Sequence, residues 1–232
     1  MTELFSDGQV GSTQETAGDF SAWTGTTGTP SVETTAPHHG SKDFKFDPAI
    51  YSAEYAYKDF AEVQTAYARL YVQAANFNDA PKVLELRDKD AQFYAQLLMA
   101  STGWTLYYRY YTFEYVQGSS TYTVTVNTGQ QYCVEIKVIR SATVGEVRVY
   151  IDGIERITVT GINNAEGTGI DEVRVGVANT PFASGVIVYT DCVVVADAYI
   201  GVEGAGGGVT VKKGGGAMQA TMGALLAGRL YG

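Results

Sequence analysis

A chain of 232 residues with 18% charged residues, 27 glycines, 17 tyrosines and 5 prolines has the profile of many strands joined by tight turns, which excludes a disordered or fibrous protein. The formal net charge is −9 and the longest Lys/Arg run is Lys212-Lys213, so nucleic acid and anionic membrane are excluded as partners. At this length one sandwich buries roughly 70% of its unfolded surface, enough to be stable without disulfides.

The opening Met1-Thr2-Glu3-Leu4 lacks the basic and apolar regions of a secretory signal. The chain is therefore expected to stay in the cytoplasm unless an assembly carries it out. Residues 1–43 are rich in Thr, Gly and Ser, with Phe5, Phe20 and Trp23 as the large anchors, and read as an opening edge strand plus long loops over the sandwich. His38 and His39 are the only histidines. Adjacent imidazoles can ligate a metal, but no Cys-x-x-Cys or His-x-x-x-His pair lies near them, so a structural turn is expected.

From about residue 44 to 200 the sequence repeats short β-branched or aromatic runs closed by Gly, Asn or Asp. Strands are predicted at 65–73, 83–87, 91–99, 105–116, 121–127, 132–140, 146–151, 155–160, 171–177 and 185–196. Asp88-Lys89-Asp90 and Asp152-Gly153 read as hairpin turns, because those residues accept left-handed angles cheaply. About ten strands at this spacing cannot remain one flat sheet, and crossover helices are missing, so two packed antiparallel sheets are expected. Cys133 and Cys192 each sit in an apolar run and read as buried thiols, with a cross-strand disulfide as the alternative.

The segment 104–115 carries the most functional information. At period two, Trp104, Leu106, Tyr108 and Tyr110 share one face, while Tyr107, Arg109, Tyr111, Phe113 and Tyr115 share the other. Only one face can enter the core, and Arg109 marks the second as outward. Tyr94, Arg69 and Tyr71 on neighbouring strands would extend it. Aromatic rings around a cation suit a protein interface or a glycan platform, unless the N-terminal loops cover them.

After residue 202 the composition changes, and ten of the glycines fall between Gly204 and Gly232. Residues 1–202 are read as one domain and 203–232 as a linker with an anchor, in which Met218, Met222, Leu225 and Leu226 fall at helical spacing for docking on a partner or a sister subunit. The apolar stretch is too short to span a bilayer.

The runs Phe20-Ser21-Ala22-Trp23-Thr24-Gly25-Thr26, Pro37-His38-His39-Gly40-Ser41 and Tyr67-Ala68-Arg69-Leu70-Tyr71-Val72 resemble the first half of concanavalin A-like, laminin-G-like jelly-roll domains. Tyr132-Cys133-Val134-Glu135-Ile136-Lys137, the stretch from Gly145 to Gly153, Val173-Arg174-Val175-Gly176-Val177, Asp191-Cys192-Val193-Val194-Val195 and Tyr199-Ile200-Gly201 resemble the later strands, in order. The resemblance implies a jelly-roll sandwich and a range of roles among lectins, glycan-binding modules, glycoside hydrolases and modules of phage and viral particles. Gln131 stands where the family commonly has Trp, and Gln9 and Val10 where it has an acid. The calcium site of some relatives would here draw on Asp191, with Asp19 as a second donor; no other cofactor is implied.

No E-x-D-x-x-E triplet and no G-x-S-x-G elbow occurs in the sequence. The expected role is a non-catalytic structural or adhesion module of a phage or viral particle, a virion protein assembled in the host cytoplasm, with subunits of its own kind or other structural proteins as partners; the alternative is a carbohydrate-binding, lectin-like module of an extracellular or cell-surface protein with a glycan as partner.

Overall fold

The computed structural model describes residues 1–203 apart from 10, 11, 78, 91, 112–114, 166 and 181–184. The tail and its anchor residues Met218, Met222, Leu225 and Leu226 lie outside the described residues.

In chain order the strands are β1 (Glu3–Asp7), β2 (Gly25–Thr27), β3 (Ser31–Glu33), β4 (Asp43–Phe46), β5 (Glu54–Val63), β6 (Thr65–Ala74), β7 (Lys82–Arg87), β8 (Phe93–Ala100), β9 (Gly103–Tyr111), β10 (Tyr115–Thr123), β11 (Gln131–Ile139), β12 (Gly145–Ile151), β13 (Ile154–Ile162), β14 (Ile170–Val177) and β15 (Val188–Ala196). The one helix among the described residues is α1 (Thr13–Thr16). All pairings are antiparallel. The first sheet runs β13-β12-β11-β6-β15-β4-β3 with β1 also on β15, and the second runs β10-β9-β8-β7-β14-β5-β2. This is the expected two-sheet antiparallel sandwich.

Alternation creates the core. On β6, Ala66, Ala68, Leu70 and Val72 are fully buried, and so are Val134, Ile136 and Val138 on β11 and Trp104 and Leu106 on β9. The N-terminal stretch contributes Phe5 and Trp23 at 4.9 Å and Phe20 stacked on Phe44 at 4.6 Å. Asp152 (φ 51°) and Gly153 (φ 77°) form the left-handed pair that turns β12 into β13. Gly176, at φ 118°, faces the Phe46 ring; a Cβ there would lie 2.5 Å from Phe46 Cδ1, so the two sheets approach only because that side chain is missing.

Several expectations change: β2 and β3 fall where long loops were expected, and the strand predicted at 121–127 is the end of β10. The single strand predicted at 105–116 is two strands, β9 and β10, paired so that Tyr115 lies opposite Tyr111. The aromatic run contains no Gly, Pro or Asn to announce the reversal. The ten-residue strand β5 was missing from the prediction, because its side chains are mostly half-exposed and mixed in polarity.

Candidate functional site

Alternation that fills the core also sets a polar row on the outer face of the first sheet. From β6 come Tyr67, Arg69, Tyr71 and Gln73, and from β11 come Gln131, Cys133, Glu135 and Lys137. Register places Cys133 beside Tyr71, Glu135 beside Arg69 and Lys137 beside Tyr67. On the other flank Asp191 of β15 lies beside Tyr71, and a bulge follows in which Cys192 adopts φ 51°.

Two segments close over this row. The first is the loop between β3 and β4, shaped by two buried carboxylates. Asp43 accepts the amides of Thr35 and Ala36 at 3.2 and 2.9 Å. Asp191 accepts those of His38 and His39 on Oδ2 at 2.6 and 2.9 Å, and that of Cys192 on Oδ1 at 2.7 Å. Burial pushes the Asp191 pKa up to about 6, against the pull of these donors.

The second is a strap, residues 197–203, that follows β15. Ile200 and Gly201 donate their amides to the Glu135 carboxylate at 3.0 and 2.9 Å, and Glu203 donates its amide to the Tyr71 hydroxyl at 2.9 Å. Arg69, 3% exposed, donates to the carbonyls of Gly201 and Cys192 and to Glu203 Oε1. Burial raises the Glu135 pKa, and its amide donors and Arg69 oppose that rise.

Loop and strap meet at Glu203, whose Oε2 lies 2.9 Å from His39 Nδ1 and 3.7 Å from His38 Nε2. His38 stacks on Tyr71 and on His39. Its Nδ1 lies 2.8 Å from Gln131 Oε1, while Gln131 Nε2 donates to the Ala36 carbonyl. Burial lowers the His38 pKa, against the pull of Gln131 and Glu203. Further along β6, Tyr199 of the strap is 45% exposed and rests on Tyr150 at 5.0 Å and Tyr67 at 6.4 Å.

Burial raises the thiol pKa of Cys133 to about 12 and lifts that of Cys192 as well. Both are free, buried thiols that stay protonated, not the disulfide alternative. Burial likewise raises the Tyr71 phenol, so it acts as a neutral hydroxyl.

The row predicted from residues 104–115 lies on the other sheet. Tyr107 and Arg109 lie half-buried on the outer face of the second sheet, where Arg109 covers Phe93 at 5.7 Å and donates to Gln92, and Tyr111 is 40% exposed. Phe113 lies outside the described residues. Arg69 and Tyr71 do not extend that row; they belong to the first sheet and are buried beneath the strap. Tyr94 adjoins the row but is buried, its hydroxyl donating to the Gly169 carbonyl.

Asp19 accepts the Ser21 amide in its own loop, which lowers its pKa. Asp191 is fully buried on backbone donors, and neither acid belongs to the cluster of three potential metal ligands among the described residues, which is His38, His39 and Glu203. Gln131, Glu135, Tyr199 and Glu203 were missed. Period two on β6 and β11 carried the signal for the first two; composition assigned Glu203 to a linker.

No family model matches the chain, and no curated protein matches it in sequence. Solved structures do. An endo-β-1,4-glucuronan lyase from the fungus Trichoderma reesei is similar with a TM-score of 0.66 at 12% identity, over 86% of this chain and 97% of that one. The binding domain of botulinum neurotoxin serotype D is similar with a TM-score of 0.51 at 9% identity, over 75% of this chain and 42% of that one. At such identities the likeness shows the fold, a jelly-roll β-sandwich.

Proposed function

We propose that the chain is a non-catalytic glycan-binding module whose platform is the outer face of the first sheet. The observation that carries this reading is the exposed Tyr199 ring, backed by Tyr67 and Tyr150. An aromatic ring of this kind stacks on the apolar face of a sugar. The likeness in fold to a neurotoxin's binding domain supports a binding role, and the likeness to an enzyme named for glucuronan is consistent with a polysaccharide as the ligand.

A glycan array probed with the full chain tests it. Tyr199→Ala, which removes an exposed ring, is expected to weaken binding about 10-fold or more, the effect of losing one aromatic anchor. Tyr107→Ala on the second sheet should bind as the parent does. Loss of binding in Tyr107→Ala alone, silence across a broad array, or turnover of an offered polysaccharide would contradict the proposal.

A second proposal, assembly of copies into a particle through residues 203–232, is supported by the Gly-rich and apolar composition of that tail. Light scattering should show an oligomer for the full chain and a monomer for a chain ending at residue 203. A monomer in both cases, at high concentration, overturns it.

A further inference from the structure

We propose that His38 Nε2, His39 Nδ1 and Glu203 Oε2 form a site for a divalent first-row metal ion, with zinc as the ion whose chemistry fits. This goes beyond glycan binding and does not depend on it.

The three ligand atoms lie within 4.8 Å of one another, with edges of 2.9 Å from His39 to Glu203 and 3.7 Å from His38 to Glu203. Zinc bonds of 2.0–2.1 Å in tetrahedral geometry put neighbouring ligand atoms about 3.4 Å apart. Two edges are therefore near their final lengths, and the half-exposed His39 ring has room to close the third.

Each ligand is also presented in the right form. Gln131 donates its amide to the Ala36 carbonyl, so its oxygen faces His38, and the proton of that ring must sit on Nδ1. The lone pair of His38 is thereby left on Nε2, on the side of Glu203. A hydrogen bond to the far ring nitrogen is the usual way an outer partner orients a metal-binding imidazole. Arg69 takes Glu203 Oε1, whereas buried Oε2 accepts no well-formed hydrogen bond among the described residues and has the His39 and His38 ring nitrogens beside it. A buried carboxylate oxygen flanked by two imidazole nitrogens is a position that a shared cation would satisfy.

The backbone around the ligands is fixed before any ion arrives. Asp191 holds the amides of both histidines, and Tyr71 holds that of Glu203. Two imidazole nitrogens and one carboxylate oxygen suit zinc or a neighbouring transition metal; calcium asks for six to eight oxygens. Three protein ligands leave a fourth position for water or for an oxygen of a bound molecule. The ion would tie the strap to the loop between β3 and β4.

The test uses the untagged full chain, stripped with a chelator and titrated with zinc chloride by calorimetry, with cobalt(II) absorption reporting the ligand set. We expect one ion per chain, a cobalt spectrum of four-coordinate type and a rise in melting temperature. Gln131→Leu should weaken binding about 10–100-fold. His39→Ala and Glu203→Gln should weaken it further, with far-UV circular dichroism unchanged. No stoichiometric uptake at about 1 mM zinc, where even a weak site is half filled, overturns the proposal. So does uptake of equal strength in both ligand variants.

Discussion

Arg69→Ala lowers the stability of the chain by about 3–5 kcal/mol, the cost of removing one partner from a buried ionic network. Arg69 is 3% exposed, and its guanidinium serves two carbonyls and the Glu203 carboxylate. Without it the strap loses its central anchor. Glu135, also buried, loses the cation that opposes the rise of its pKa. A carboxyl whose folded pKa lies above its unfolded value binds a proton more tightly in the folded state. Its contribution to stability therefore falls as pH rises from the unfolded value through the folded one, and is constant above that.

Removing Arg69 raises the folded value further, so the deficit of the variant is smaller at pH 5 than at pH 8. Urea denaturation at the two pH values measures this. The double variant Arg69→Met with Glu135→Met leaves fewer charges uncompensated and should cost less than the sum of the singles. A deficit below about 1 kcal/mol, the scale of exposed ion pairs, would mean that the strap does not depend on this residue.

Trp104→Ala is expected to cost about 3–5 kcal/mol, the range for truncating a large buried ring. Trp104 is fully buried on β9 and meets the Tyr132 ring of the facing sheet edge-on at 5.6 Å. Its truncation leaves a void between the sheets that their backbones cannot close. Trp104→Phe should cost much less, because indole Nε1 has no hydrogen-bond partner among the described residues and phenylalanine removes that unpaired donor. Denaturant midpoints read both effects. Equal losses in the two variants would show that the indole donor is satisfied, and a small loss in the alanine variant would show that the core relaxes around it.

The fold was legible because its signal is local. Alternation in β6, β11 and β12 fixes which residues enter the core, and Asp152-Gly153 fixes a hairpin register. The inward set Trp104, Leu106, Tyr108 and Tyr110 was assigned from period two alone, and the structure buries the first two fully and the others partly.

The site was not legible, because it is made by contacts between residues distant in sequence. Glu203 meets Arg69 across 134 positions, and His38 meets Gln131 across 93. Gln131 looked like a lost tryptophan; its function is visible only once the loop between β3 and β4 brings His38 to its amide. Arg69 and Tyr71 were named from their type as partners of an exposed row, yet neighbouring sequence runs lie on opposite sheets of a sandwich. Glu203 stood at the first position of a Gly-rich stretch, where composition erased it as a single residue.

Hydrogen–deuterium exchange on the full chain, with and without a glycan selected on the array, tests most directly that the outer face of the first sheet is the binding surface. Slower exchange is predicted in peptides covering residues 67–73, 131–137 and 197–203, with no change at 104–111. Protection confined to 104–111 would place the surface on the second sheet and contradict the account.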